Sequence, residues 1–269
     1  MTKRKCMTEA EWLSQGDLWD TPVWYGPLGM LKFLRECKRV RCKVTDRKLW
    51  LFACACCYRM WDLITNERYR EAVRVTELRA DRLVSKKAWW AALRGLLDET
   101  AFNRMLLPED DRTWDDQVEV GISTALWLLT QKEMNVEGTI SNVCVAIYAA
   151  EAAEMGLPPP SVYFQRLTPP VPRPRGDGEV RWQCAALRDI FTPFRKLPAV
   201  DPAWLAWNNG TVPKLAQVIY EERRFADLPI LADALEEAGC SDAGILDHFR
   251  RAGEHVRGCW ALDLILGKE

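Results

Sequence analysis

The segment that most restricts the fold of this chain is Leu49–Tyr58, ten residues without a charged side chain, a glycine or a proline. Thr45 lies just before it and is a residue type that caps helices, so a helix is predicted to begin there. A helix that is apolar around its whole circumference must be surrounded by other helices. The segment is about half of the ~20 residues that cross a bilayer. We therefore expect a central helix and no membrane span.

Helical spacing recurs through the rest of the chain. Thr8 and Glu11 form a capping-box pattern, and Val212, Leu215 and Ile219 have the spacing of one helix face. No alternating run of β-branched residues continues beyond four or five positions. The predicted fold class is all-α, a compact array of many helices.

Proline marks a boundary in the middle of this array. Seven of the fifteen prolines lie between Pro158 and Pro174, where regular structure cannot continue. We predict an N-terminal helical region at 1–156, a Pro/Gly-rich connector at 157–180 and a smaller C-terminal helical region at 181–269.

The cysteine content indicates a reducing compartment. The chain has ten cysteines, but its N-terminus is charged and lacks the apolar stretch of a secretory signal. Reduced thiols and a cytoplasmic location are expected. The 37 basic residues nearly balance the 38 acidic ones, so net charge indicates no partner.

Several strings carry a resemblance. They are MTEAEWL (Met7–Leu13), DRKLWLFACACCYRMWDLITNERYREAV (Asp46–Val73), LRDIFTPFR (Leu187–Arg195) and the 45 residues from Phe225 to Glu269. These strings resemble an expanded family of paralogous, uncharacterised bacterial proteins. The resemblance implies a helical fold and supplies no catalytic residues, because no activity is assigned to that family.

Basic residues concentrate between Lys32 and Lys48, where eight lysines and arginines stand against Glu36 and Asp46. Such a strip can neutralise several phosphates of a nucleic acid. The candidate binding residues are Lys38, Arg39, Arg41 and Lys43. The acidic run at 109–119 carries a charge of −5 and can satisfy this patch within the protein, so the alternative is that the strip binds no nucleic acid.

A second candidate site lies near the C-terminus, where a helix is predicted from about His255 to Leu266. His255, Cys259 and Asp263 recur every four residues, which would place them along one stripe of that helix. A thiol and an imidazole in contact suggest a thiol enzyme. No oxyanion-hole loop accompanies them, and catalytic groups usually come from separate elements.

The same residues suggest a metal site. Cys54 and Cys57 are spaced C-x2-C, and His255 and Cys259 are spaced H-x3-C, so together they form the Cys3His set of a structural zinc site. Other available ligands are Cys56, Cys240 and His248. The preferred interpretation is that no cofactor binds and that these cysteines are small buried hydrophobes. In either case the central helix and the final helix are expected to touch.

The absence of catalytic motifs and the abundance of helix faces favour a non-enzymatic cytosolic protein-interaction or regulatory module with a protein partner. One alternative is a nucleic-acid-associated factor that uses the Lys32–Lys48 strip. The other is a thiol- or metal-dependent enzyme that uses His255 and Cys259.

Overall fold

The computed structural model describes residues 6–16, 26–94, 113–131, 135–156, 176–251 and 253–268. These residues form twelve α-helices, one short 3-10 helix and no strand, which confirms the all-α prediction. The helices are α1 (Glu9–Leu13), α2 (Pro27–Glu36), α3 (Asp46–Arg59), α4 (Glu67–Ala80), α5 (Lys86–Leu93), α6 (Trp114–Leu129), α7 (Val136–Glu154), α8 (Gly176–Ile190), α9 (Pro202–Glu222), α10 (Leu228–Glu237), α11 (Ala243–Arg250) and α12 (Trp260–Leu266). Residues 157–175 of the predicted connector lie outside the described residues.

Side-chain caps begin several of these helices where the sequence places them. Thr8 and Glu11 form the predicted capping box at α1. Thr45 accepts a hydrogen bond from the Lys48 amide, and Ser85 accepts one from the Ala88 amide. Each cap satisfies an amide that has no partner within its own helix.

Helix α3 is the central helix that the sequence predicts. Every residue from Leu51 to Cys57 is buried. Helices α4, α6, α7 and α8 pack around it. None of the helices in the described ranges is both long and apolar enough to cross a bilayer.

The buried side chains form two hydrophobic clusters. The first cluster extends from Trp12 on α1 to Phe191 just after α8, and Val256 joins it from the C-terminal segment. The second cluster consists of residues from α9 to α12, between Val212 and Ile265. Helix α8 therefore packs with the N-terminal helices, and the limits at 156 and 181 stay predictions.

The side chain of Arg47, which is 11% exposed, joins the two clusters. The Arg47 guanidinium on α3 lies 2.6 Å from Asp263 on α12 and 2.8 Å from Asp81, and it also donates to the Tyr220 hydroxyl. These contacts confirm that the central helix touches the final helix. They also show that Asp263 pairs with Arg47. The predicted alignment of Asp263 with His255 along one helix face is therefore wrong.

Helix α12 begins at Trp260, so the prediction that it begins near His255 is wrong. Gly258 interrupts it with a φ of +91°, a left-handed conformation that favours glycine. A Cβ on Gly258 would lie 3.2 Å from the Leu51 side chain. Close packing against α3 therefore shapes the segment before α12.

The close approach of α6 and α7 yields a stability prediction. A Cβ added at Gly121 would lie 2.9 Å from the Ala146 backbone nitrogen, which cannot move alone. We expect Gly121→Ala to lower the free energy of unfolding by about 1–3 kcal/mol through overpacking, measured by urea unfolding followed by circular dichroism.

Gly178→Ala in α8 is the matched control, because nothing lies within 4 Å of the added Cβ. Alanine's helix preference should leave that variant unchanged or more stable by at most about 1 kcal/mol. A Gly121→Ala variant as stable as the wild type would contradict the packing described here.

Candidate functional site

Four buried side chains converge between the two hydrophobic clusters. Asp189, His248, His255 and Cys259 each offer one ligand atom, and these atoms lie within 4.8 Å of one another. None of the four residues is more than 8% exposed. Because titratable groups are rarely buried together without a role, this Asp-His-His-Cys cluster is the main candidate site.

Three separate parts of the chain position the cluster. Asp189 is the next-to-last residue of α8, and His248 lies on α11, whose neighbouring Phe249 is buried in the second hydrophobic cluster. His255 lies in the non-helical segment before α12, and Cys259 is the N-cap residue of α12. The cluster therefore depends on the tertiary fold and not on one helix face.

The Asp189 carboxylate is the centre of the cluster. His255 Nδ1 lies 2.6 Å from Oδ1, and His248 Nε2 lies 3.2 Å from the same oxygen. The Val256 amide donates to Oδ2 at 3.0 Å. Burial alone would raise the pKa of Asp189, but the contacts with His248 and His255 outweigh it and lower the pKa to about 2. The carboxylate is therefore ionised at neutral pH.

The neighbours of His248 define its tautomer. Trp260 Nε1 donates to His248 Nδ1 at 3.2 Å, and an indole nitrogen can only donate. Nδ1 is therefore the acceptor, and the proton of the neutral imidazole lies on Nε2, which faces Asp189 and Cys259. Burial lowers the pKa of His248 although Asp189 opposes this shift. The ring is therefore neutral at neutral pH.

Cys259 carries a protonated thiol. Its Sγ lies 3.1 Å from His248 Nε2 and 3.9 Å from His255 Nδ1. Burial, reinforced by the negative charge of Asp189, raises the pKa of Cys259 well above its ordinary value. Nucleophilic catalysis needs an accessible thiolate, and a base oriented through its second nitrogen. The thiol here is buried, and His248 faces both Cys259 and Asp189 with one nitrogen, so this geometry argues against a thiol enzyme.

The structure brings together only half of the zinc set suggested by the sequence. His255 and Cys259 belong to the cluster, whereas Cys54 and Cys57 lie on α3 among its fully buried residues and outside the cluster. Cys54 Sγ lies 3.9 Å from the Val73 carbonyl oxygen. Burial raises the pKa of Cys57 to about 12, as expected for a small buried hydrophobe.

The sequence did not indicate that Asp189 belongs to the cluster. It indicated His248 only as an alternative metal ligand. One signal was available, because the chain has two histidines and both lie in the cluster. No spacing pattern identifies Asp189, which is far from its partners along the chain.

A cleft of about 300 Å³ adjoins the cluster, with His248 in its wall. It lies between α1 and α11 and is lined by both hydrophobic clusters. Its aromatic walls are Trp12, Phe191, Phe194 and Trp260.

Arginine side chains also line this cleft. Arg188 donates to the Trp12 and Gln15 carbonyl oxygens, and Arg195 pairs with Asp242 and lies over the Trp260 ring. Arg251 is exposed at the edge. The cleft therefore combines flat apolar surfaces with positive charge.

The basic strip is divided by the fold. Lys38, Arg39, Arg41 and Lys43 are exposed in the connection between α2 and α3. Lys48 is buried instead and donates to the Ile190 carbonyl oxygen at 3.3 Å, and Arg47 forms the inter-cluster ion pairs. The C-terminal end of the strip therefore serves the fold, while the four candidate residues remain at the surface.

Comparisons with models of protein families, with curated proteins and with solved structures gave no match. The family resemblance stays a prediction.

The buried, neutral state of Cys259 predicts slow alkylation. In native protein with a metal chelator present, iodoacetamide at about pH 8 should modify the exposed Cys6 before Cys259, because only an accessible thiolate reacts. Cys259 should react after denaturation. Peptide mass spectrometry over time measures both rates.

A Cys6→Ser variant is the control, since it should lose the early modification and leave the behaviour of Cys259 unchanged. If native Cys259 reacts as fast as Cys6, the thiol is accessible and the thiol-enzyme alternative regains support.

Proposed function

We propose that this chain is a non-enzymatic, cytosolic protein-interaction module whose partner binds in the cleft between α1 and α11. One observation carries the proposal: Leu13, which is 56% exposed, and the exposed Arg251 border a cleft walled by aromatic rings. An exposed apolar side chain beside a concave aromatic surface is typical of a binding site.

The composition of the cleft supports a protein partner. Aromatic residues and arginine are enriched in protein interfaces, and the residues that dominate binding energy fill well-packed pockets. A volume of about 300 Å³ is at the lower end for a small-molecule site and accommodates one or two anchoring side chains.

The charges of the cleft indicate the chemistry of the partner. Arg188, Arg195 and Arg251 line it together with the acidic Glu9 and Asp247. Arginine binds carboxylates in a planar, two-pronged geometry. We therefore propose that the occupant is a segment of a partner protein with an apolar anchor beside an acidic residue.

A second candidate is a nucleic-acid-associated factor. The observation that favours it is the exposure of Lys38, Arg39, Arg41 and Lys43 within one short connection. Four cations in such proximity can contact neighbouring phosphates, and that binding weakens steeply with salt.

A capture experiment with matched variants distinguishes these functions. Immobilised full-length protein is incubated with native lysate of its own source organism, with and without nuclease. We expect wild-type protein to retain a nuclease-resistant partner, and a Leu13→Asp, Arg251→Glu double variant to lose it at least tenfold, because a new carboxylate and a reversed charge oppose an acidic, apolar segment.

Leu83→Asp is the matched control, since Leu83 is 69% exposed and does not line the cleft. It should retain the partner like the wild type. Equal retention by the double variant, or recovery of nothing, contradicts the cleft proposal. Loss of all bound material with nuclease, and with glutamine at the four basic positions, would support the nucleic-acid function instead.

A further inference from the structure

We propose that Asp189, His248, His255 and Cys259 bind a divalent transition-metal ion, and that Zn²⁺ is the ion that fits them best. This inference does not depend on the proposed partner. It goes beyond the zinc set suggested by the sequence, because Asp189 and His248 replace Cys54 and Cys57.

The donor types match zinc. One thiolate, two imidazoles and one carboxylate provide the four nitrogen, sulfur and oxygen ligands that zinc takes in closed tetrahedral sites. Calcium and magnesium prefer oxygen ligands alone, so a thiol and two imidazoles select against them.

The spacing of the donors is close to that of a metal site. The observed separations are 2.6 Å from Asp189 Oδ1 to His255 Nδ1, 3.2 Å from that oxygen to His248 Nε2 and 3.1 Å from His248 Nε2 to Cys259 Sγ. Zinc bond lengths imply neighbouring ligands about 3.3–3.6 Å apart in a tetrahedron. Cys259 Sγ lies 3.9 Å from His255 Nδ1, and all four ligand atoms lie within 4.8 Å of one another, so shifts of about 1 Å would convert the hydrogen-bonded arrangement into a coordinating one.

The charge of the cluster also favours a cation. Without metal, the ionised Asp189 is buried beside a neutral His248 and a neutral thiol. When Zn²⁺ binds, Cys259 releases its proton to solvent, and one carboxylate plus one thiolate balance the two positive charges. The bound site is then neutral overall, which suits a dry interior.

Trp260 opposes metal binding. If His248 coordinates through Nε2, its remaining proton moves to Nδ1 and faces the indole N–H of Trp260, which now donates to that atom. The indole must therefore turn away when metal binds. Replacing Trp260 by phenylalanine removes the competing donor, so Trp260→Phe should bind metal at least as tightly as the wild type.

Cobalt is the probe for the test, because Co²⁺ occupies zinc sites and is coloured. Full-length, tag-free protein is stripped with a chelator, dialysed and titrated with Co²⁺. We expect saturation at one Co²⁺ per chain, with a thiolate-to-cobalt charge-transfer band and visible bands of tetrahedral intensity. Added Zn²⁺ should abolish the bands, since zinc binds such sites more tightly than cobalt.

Matched cysteine variants locate the site. Cys259→Ser should lose the charge-transfer band, whereas Cys54→Ser, at an equally buried cysteine on α3, should retain it. Circular dichroism checks that each variant is folded. A band that survives in Cys259→Ser, or no band in the wild type, overturns the proposal.

X-ray absorption of the zinc-loaded wild type keeps the proposal testable even if Cys259→Ser does not fold. We expect one sulfur at about 2.3 Å and three nitrogen or oxygen ligands at about 2.0 Å. Two or more sulfurs, or none, would contradict the assignment.

Discussion

The arrangement of the C-terminal segment depends on the contacts that the buried Asp189 carboxylate makes with it. This carboxylate extends from α8, which packs in the first hydrophobic cluster, and faces His248 on α11, which packs in the second. Its other oxygen accepts a hydrogen bond from the Val256 amide, which fixes the position of the segment before α12. An ionised carboxylate at this depth must keep its partners, because a buried charge without its hydrogen bonds costs more than the ~1–3 kcal/mol of a neutral buried polar group. Arg47 adds a second connection through Asp263 and Asp81.

Trp260 contacts both the proposed partner cleft and the proposed metal site. Its ring lines the cleft and lies 5.1 Å from the Arg195 guanidinium, and its indole nitrogen donates to His248 in the cluster. A metal ion on His248 would displace the indole and thereby alter the wall of the cleft. Metal binding and partner binding would then be coupled through one side chain, in a direction that depends on which position of the indole the partner prefers.

Local signals in the sequence were sufficient for much of the fold. The caps at Thr8 and Thr45 and the apolar run of α3 act over a few residues, so their positions could be predicted. The start of α12 could not, because Gly258 adopts its left-handed conformation where Leu51, about two hundred residues earlier, leaves little room for a Cβ. Only part of the candidate site could be predicted, because the rest of it also depends on residues that are distant in the sequence. His255 and Cys259 are near neighbours in the sequence, whereas Asp189 joins them only through the packing of α8.

If the Asp189 contacts hold the two hydrophobic clusters together, the clusters unfold as one unit. Scanning calorimetry of chelator-treated wild type, Asp189→Asn and the exposed control Asp62→Asn measures this. Asparagine keeps the size of the side chain but cannot supply the negative charge or accept hydrogen bonds through both terminal atoms. We expect one cooperative transition for the wild type and for Asp62→Asn. We expect an additional, earlier transition for Asp189→Asn, as the C-terminal cluster unfolds separately. An Asp189→Asn protein with the wild-type transition, unchanged in temperature and shape, would show that Asp189 does not join the two clusters.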